Sequence, residues 1–287
     1  MKYVKYGLLG ILFVFLLKGI GMIADIQEFT PSSMVVEERG FKTDNIENLN
    51  IHLAKANVSI TYANVEDISI VSSLTPLQNK MFTYNYIANS ENNTLEISQY
   101  FNRVSSLDEI SSYGKINIYI PKNFDFSGIN IVLEEGSLNT NVNATNFTYQ
   151  VDSSKTKIEG KFDQINIGQK VGMIDLNQLN AKALTFSGEC VQLALNSVTS
   201  ETIDVTNQKA GVLNVKQAYA QTLNINGKYK DVNFADMAPM NYQLVADMVN
   251  NSDLTLSGDT FTYQMDDKST MRINAPGVKV DQFRIKQ

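Results

Sequence analysis

The stretch INIVLEEGSLNT, Ile129–Thr140, decides how this chain is read. Ile129, Ile131 and Leu133 alternate with Asn130 and Val132, and a period of two marks a strand with one buried face. Glu135-Gly136 interrupts the alternation with residues that turns favour, and Leu138 resumes it. The unit is therefore strand, turn, strand. Upstream, GKINIYIPKN (Gly114–Asn123) has the same period through Ile116, Ile118 and Ile120, is stopped by Pro121, and leads into the series.

Downstream the unit recurs. One column of strand starts reads Ile129, Phe147, Ile165, Leu184, Ile203, Leu223, Tyr242 and Tyr263, in steps of 18 to 21 residues. A second reads Leu138, Ile158, Leu176, Leu195, Leu213, Val232, Leu254 and Ile273, in steps of 18 to 22. INIGQKVGMIDL carries Gly168 and Gly172 at its turn, and LNINGKYKDVNF carries Asn226-Gly227. Fixed periods near 20 residues are the mark of stacked repeats. An antiparallel sandwich also has strands this short, but it does not require every second strand to return at a constant step. The expected fold is all-β: a right-handed parallel β-solenoid with about 19 residues per rung, following an N-terminal apolar helix. At about 4.8 Å per rung, eight rungs extend roughly 38 Å.

The expected division is an apolar segment at 1–24, a polar stalk at 25–48, irregular cap strands at 49–128 and repeats at 129–287. In the cap, MFTYNYIANSENNTLEISQY (Met81–Tyr100) reads as a hairpin turning near Asn92-Asn93. The basic tail VKVDQFRIKQ, Val278–Gln287, is expected to protect the far end.

Lys2 and Lys5 precede an uncharged run from Tyr6 to Leu17, and after Lys18 the run GIGMIA reaches Ala24. Tyr6 to Ala24 is long enough to cross a hydrocarbon core of about 30 Å. A cleaved signal peptide is the competing reading, but no A-x-A site follows, so an uncleaved anchor is preferred. The basic start keeps the N-terminus cytoplasmic and places the remainder outside; cleavage would make it secreted.

Composition narrows the function. The net charge is −6 over 287 residues, which disfavours nucleic acid as the main partner. A single cysteine, Cys190, excludes an internal disulfide and, alone, a zinc site. The single histidine, His52, alternates with Leu49, Ile51 and Leu53 and so faces solvent, with no nucleophile suggested beside it. Adjacent carboxylates at Glu37-Glu38, Glu134-Glu135 and Asp266-Asp267 point to opposite sides of a strand and form no catalytic pair. Asp175, Glu189 and Asp231 are too scattered over the repeat for a lyase or hydrolase cleft. No catalytic, cofactor-binding or metal-binding residue is assigned.

From residue 45 to the C-terminus the strands NVSI, DISIVSS, NTLEIS and INIYIP, followed by units like INIVLEEGSLNT, resemble the bacterial "putative adhesin" domain of unknown function, found in exported cell-envelope proteins. The resemblance implies a β-solenoid outside the membrane and supplies no functional residue. The function expected is a non-catalytic envelope binding or scaffold module, linked to envelope-stress regulation, whose partner is a cell-wall polymer or a membrane protein. The competing class is a carbohydrate-active β-helix enzyme, a lyase or hydrolase, which needs acidic side chains stacked across rungs.

Overall fold

The structure, a computed structural model, describes residues 34–102, 113–235, 241–248, 254–257, 260–264, 270–274 and 282–284. The expected N-terminal helix lies outside the described residues. Among those described, no helix is long and apolar enough to cross a membrane. The protein is nearly all β, in a mixed sheet.

The strands are β1 (Val35–Phe41), β2 (Asn48–Ala63), β3 (Ile68–Leu74), β4 (Phe82–Asn89), β5 (Thr94–Phe101), β6 (Gly114–Pro121), β7 (Phe126–Thr140), β8 (Ala144–Gly188), β9 (Gln192–Lys216), β10 (Tyr219–Ala235), β11 (Asn241–Met248), β12 (Leu254–Ser257), β13 (Thr260–Gln264), β14 (Thr270–Asn274) and β15 (Gln282–Arg284). The helix α1 (Pro76–Met81) has Thr75 as its N-cap, closed by a reciprocal bond with Gln78.

β2, β7, β8, β9 and β10 pair in parallel, each with the next, and the register of β10 against β9 shifts on either side of Tyr229. β8 alone has 45 residues. Straight, it would reach roughly 150 Å. Instead the chain comes back over itself. A Cβ placed on Gly160, Gly172, Gly188 or Gly211 would stand 2.0–2.3 Å from the carbonyl oxygens of Val142, Ser154, Gln169 and Cys190 respectively. The burial pattern shows where it bends. Phe147, Tyr149 and Val151 are buried two residues apart, the next buried position is Ser154, three on, and the period of two resumes through Thr156 and Ile158. At this step the strand changes which of its sides is buried. Gln178, Ser197 and Gln217 sit at a series of corners with φ of 49°, 55° and 53°.

The columns read from sequence hold in part. Ile129 pairs with Phe147, Leu184 with Ile203, Ile203 with Leu223 and Leu223 with Tyr242. The second column differs at Leu138, which lies beside Thr156, while Ile158 lies beside Thr140. Thr140 and Thr156 are buried, so an apolar column continues through threonines that polarity alone assigns to the surface. The last unit also departs. Tyr263 lies in β13, antiparallel to β14, and Leu254 pairs with Met271, not Ile273.

The N-terminal part is built differently from a simple lead-in. β2 lies in parallel beside β7, although β3 to β6 intervene in sequence. Its other edge is shared: β5 covers the first half and β6 the second. GKINIYIP therefore adjoins β2 and β3, with β2 between it and β7. β4 extends this end antiparallel to β5 as the hairpin read from sequence, and β1 closes it antiparallel to β3. Residues 35–41, read from sequence within a polar stalk, are thus an edge strand, charged at Glu37, Glu38 and Arg39.

Inside the stack, Tyr149 donates to Ser154 Oγ at 3.1 Å, Thr156 donates to Tyr149 at 3.1 Å, and the two smaller hydroxyls share a bond of 2.7 Å. This closed triangle satisfies three buried hydroxyls at once. Tyr149→Phe is expected to lose about 1–2 kcal/mol in chemical denaturation. Leaving Ser154 and Thr156 bonded to each other keeps the loss to that range.

Candidate functional surface

The first side of the stack carries Leu49, Ile129, Phe147, Ile165, Leu184 and Ile203 inward. The residues one step further along each strand point outward: Asn50, Asn130, Thr148, Asn166, Thr185, Asp204 and Asn224. Asn50 pairs with Asn130, Asn130 with Thr148, Thr185 with Asp204 and Asp204 with Asn224. Asn166 falls between Thr148 and Thr185, since its near neighbour Gly168 lies against the Gln150 side chain of the preceding row. A flanking column contributes Asn146, Gln164 and Thr202, and the opposite flank Gln150, Ser187 and Thr206. The result is a grid of amides and hydroxyls, with rows about 4.8 Å apart and columns about 6.6 Å apart. Asp204 accepts from Asn224 Nδ2 at 2.6 Å. His52, at the cap end of the same face, is exposed, as its place in the alternation requires.

A groove of about 280 Å³ runs along one edge of this grid. Val132, Gln150, Gly168 and Ser187 form its grid side; Glu134, Asp152, Lys170 and Glu189 form its outer side. It crosses successive rows, from Val132 to Gln208, and so runs along the stack. The rows pack closely at this corner: a Cβ on Gly168 would strike the Gln150 side chain at 2.1 Å, and one on Gly188 the Gln169 carbonyl at 2.0 Å. Lys170 Nζ bonds Asp152 at 2.7 Å, in the open. Three carboxylates face one ammonium, so the outer rim is net negative.

Beneath this corner lies Gln169, 2% exposed. Its Nε2 donates to the carbonyls of Ser154 at 3.2 Å and Val171 at 2.8 Å, satisfying two acceptors that the bend would leave without strand partners. At the equivalent bend of β2, Gln99 Oε1 accepts from the amides of Ala54 and Lys55 at 2.9 and 3.0 Å. Lys55 reaches Glu135 at 3.2 Å. The amides of these corners are thus structural.

A second notch, of about 350 Å³, includes Asp125, Asn143, Lys161, Asp163 and Lys182. Its polar groups serve one another. Tyr62 donates to Asp125, and the Asn143 amide donates to the Tyr62 hydroxyl at 3.0 Å. Lys161 N donates to Asn143 Oδ1 at 3.0 Å, and Lys182 bonds Asp163 at 2.8 Å. Burial, then the bond to Asp125, pushes the Tyr62 hydroxyl up to about 12. Burial raises Tyr84 as well. A phenol whose folded value lies above its unfolded value holds its proton more tightly when folded. Its stabilisation is complete below about pH 10 and is lost as pH rises through the folded value. Urea midpoints are expected to be level from pH 8 to about 10 and to fall between about 10 and 12.

Of the carboxylates picked out in the sequence, Glu134 and Glu189 both border the groove, whereas Asp175 accepts from Asn196 at 2.8 Å elsewhere. The side chain of Asp231 and the pair Asp266-Asp267 lie outside the described residues. Among the described residues, no three His, Cys, Asp or Glu side chains come together as a metal cluster. Cys190 is buried, and burial pushes its thiol up to about 12. It is expected to react with a thiol reagent only on unfolding, as absorbance with and without denaturant would show. Sequence reasoning missed the amide grid, although its signal was present: the residues one step after the first apolar column, Asn130, Thr148, Asn166 and Thr185, are all uncharged and polar.

No protein-family model matches the sequence. A comparison with curated proteins returns no match. Among solved structures the chain is similar to a "putative cell adhesion protein" of Clostridium sporogenes, at 17% identity and TM-score 0.43 over 68% of this chain and 100% of that one. It is similar to a "putative adhesin" of Bacteroides fragilis, at 12% identity and TM-score 0.46 over 78% and 98% of the two chains. A third, a "putative lipid binding protein" of Parabacteroides distasonis, has 12% identity and TM-score 0.36 over 77% and 96%. At these scores the likeness says nothing of what this chain binds.

Proposed function

We propose that the chain is a non-catalytic binding module of the cell envelope. It is a right-handed parallel β-solenoid, tethered outside the membrane by Tyr6–Ala24, that docks a surface polymer through its amide and hydroxyl face. The parallel register of β2 and β7 to β10, with the carbonyl approaches at Gly160, Gly172, Gly188 and Gly211, supports the coil. Right-handedness follows the general rule for parallel crossovers. The observation that carries the binding role is the grid centred on Thr148, Asn166 and Thr185: regular, half-buried at Thr148 and exposed at Asn166 and Thr185, and almost without charge. A face built only for solubility would be expected to carry Lys and Glu.

The test is cosedimentation of the full chain, in detergent micelles, with isolated cell walls. Saturable binding is expected, and it should be lost when Thr148→Glu and Thr185→Glu place charge in the grid. Retention of a membrane protein with no wall binding would favour the regulatory role, in envelope-stress signalling, over polymer docking.

A further inference from the structure

We infer that the groove between Gln150 and Glu189 holds a single uncharged linear glycan chain, laid lengthwise along the stack. This rests on the polymer-docking reading and names the ligand class of that face. Three observations lead to it. The groove crosses successive rows and therefore suits a polymer better than a compact ligand. Its grid side presents Gln150 and Ser187, both exposed, and the neighbouring column adds Thr148 and Thr185. Amides and hydroxyls donate and accept at the same site, as the hydroxyl and acetamido groups of a sugar do. Repeated rows about 4.8 Å apart offer the same pair of groups again and again along a repeating chain.

Charge decides the class. Among the described residues that line the groove, Glu134, Asp152 and Glu189 meet one cation, Lys170, which is bonded to Asp152. An acidic polymer would meet a net negative rim there, and such juxtaposition is costly. A neutral chain meets no such penalty.

The experiment is calorimetric titration of the full chain in micelles with three hexasaccharides: cellohexaose, N-acetylchitohexaose and hexagalacturonate. Saturable binding of at least one neutral hexamer is expected, with no binding of the acidic one. Ser187→Arg fills the groove from an exposed position and should weaken the neutral hexamer about tenfold or more, a change of about 1.4 kcal/mol. Glu134→Gln with Glu189→Gln removes like charge from the rim and should admit hexagalacturonate, a response that a merely structural role would not give. Failure of both neutral hexamers, unchanged affinity in Ser187→Arg, or equal binding of the acidic hexamer would each overturn the inference. If the hexamers fail while wall binding persists and still responds to Thr148→Glu with Thr185→Glu, the docking face stands and only the groove assignment falls. If wall binding fails too, the docking reading falls with it.

Discussion

Gly136→Ala should destabilise the protein by about 3–5 kcal/mol, read as a shift in urea midpoint at constant slope. Gly136 has φ 140°, a region closed to side-chain-bearing residues at a cost of roughly 1–3 kcal/mol. The second part is steric. A Cβ there would sit 1.8 Å from the Ala56 carbonyl oxygen and 2.7 Å from its carbon. Neither atom can rotate away, because Ala56 is held in β2 between Gly136 on one edge and Gly114 on the other. Gly40→Ala is the control: a Cβ there meets nothing within 4 Å, and the change should stay within about 0.5 kcal/mol. If both substitutions cost the same, crowding at the corner is not what requires Gly136.

Phe147→Ala should cost about 3–5 kcal/mol. Phe147 is fully buried, in register with Ile129, and its ring packs on that of Phe162 with centroids 5.2 Å apart. The site cannot collapse easily, since its neighbours in the column belong to hydrogen-bonded rows at a fixed spacing. The lost transfer energy and the residual cavity therefore both count. Thr148→Ser, one residue along and facing outward, should change stability by less than about 0.5 kcal/mol. Paired denaturation curves of the two variants test the assignment of inner and outer faces directly. Equal losses would put Phe147 in the wrong place.

Much of the candidate surface is legible once the inward columns are known, because outward residues are what remains between them. Its neutrality is a composition fact visible in Asn130, Thr148, Asn166 and Thr185. The groove is not legible. Glu134, Asp152 and Glu189 fall at corners, where the alternation stops and the side-chain direction depends on how the bend is made. Gln169 shows the same limit from inside. Its spacing from Ile165 and Ile167 turns it inward, its polarity argues outward, and only the carbonyls of Ser154 and Val171 make the buried position affordable. The helix α1 was within reach, since Thr75-Pro76 with Gln78 is a capping signature.

By itself the sequence determined the all-β class, the step of about 19 residues, the inward columns from Ile129 to Leu223 and the exposed His52. These are local properties: a period of two and its recurrence are written in neighbouring residues and survive any choice of partner strand. Only the tertiary structure decided that β2 joins β7 across β3 to β6, and that β5 and β6 divide its far edge. It also decided that Thr140 and Thr156 complete an apolar column. Strand pairing is non-local, and closing a longer loop adds little free energy, so the strands nearest in sequence hold no decisive advantage. Which edge meets which depends on the fit of whole columns, a property of the assembled stack that no single stretch of the chain contains.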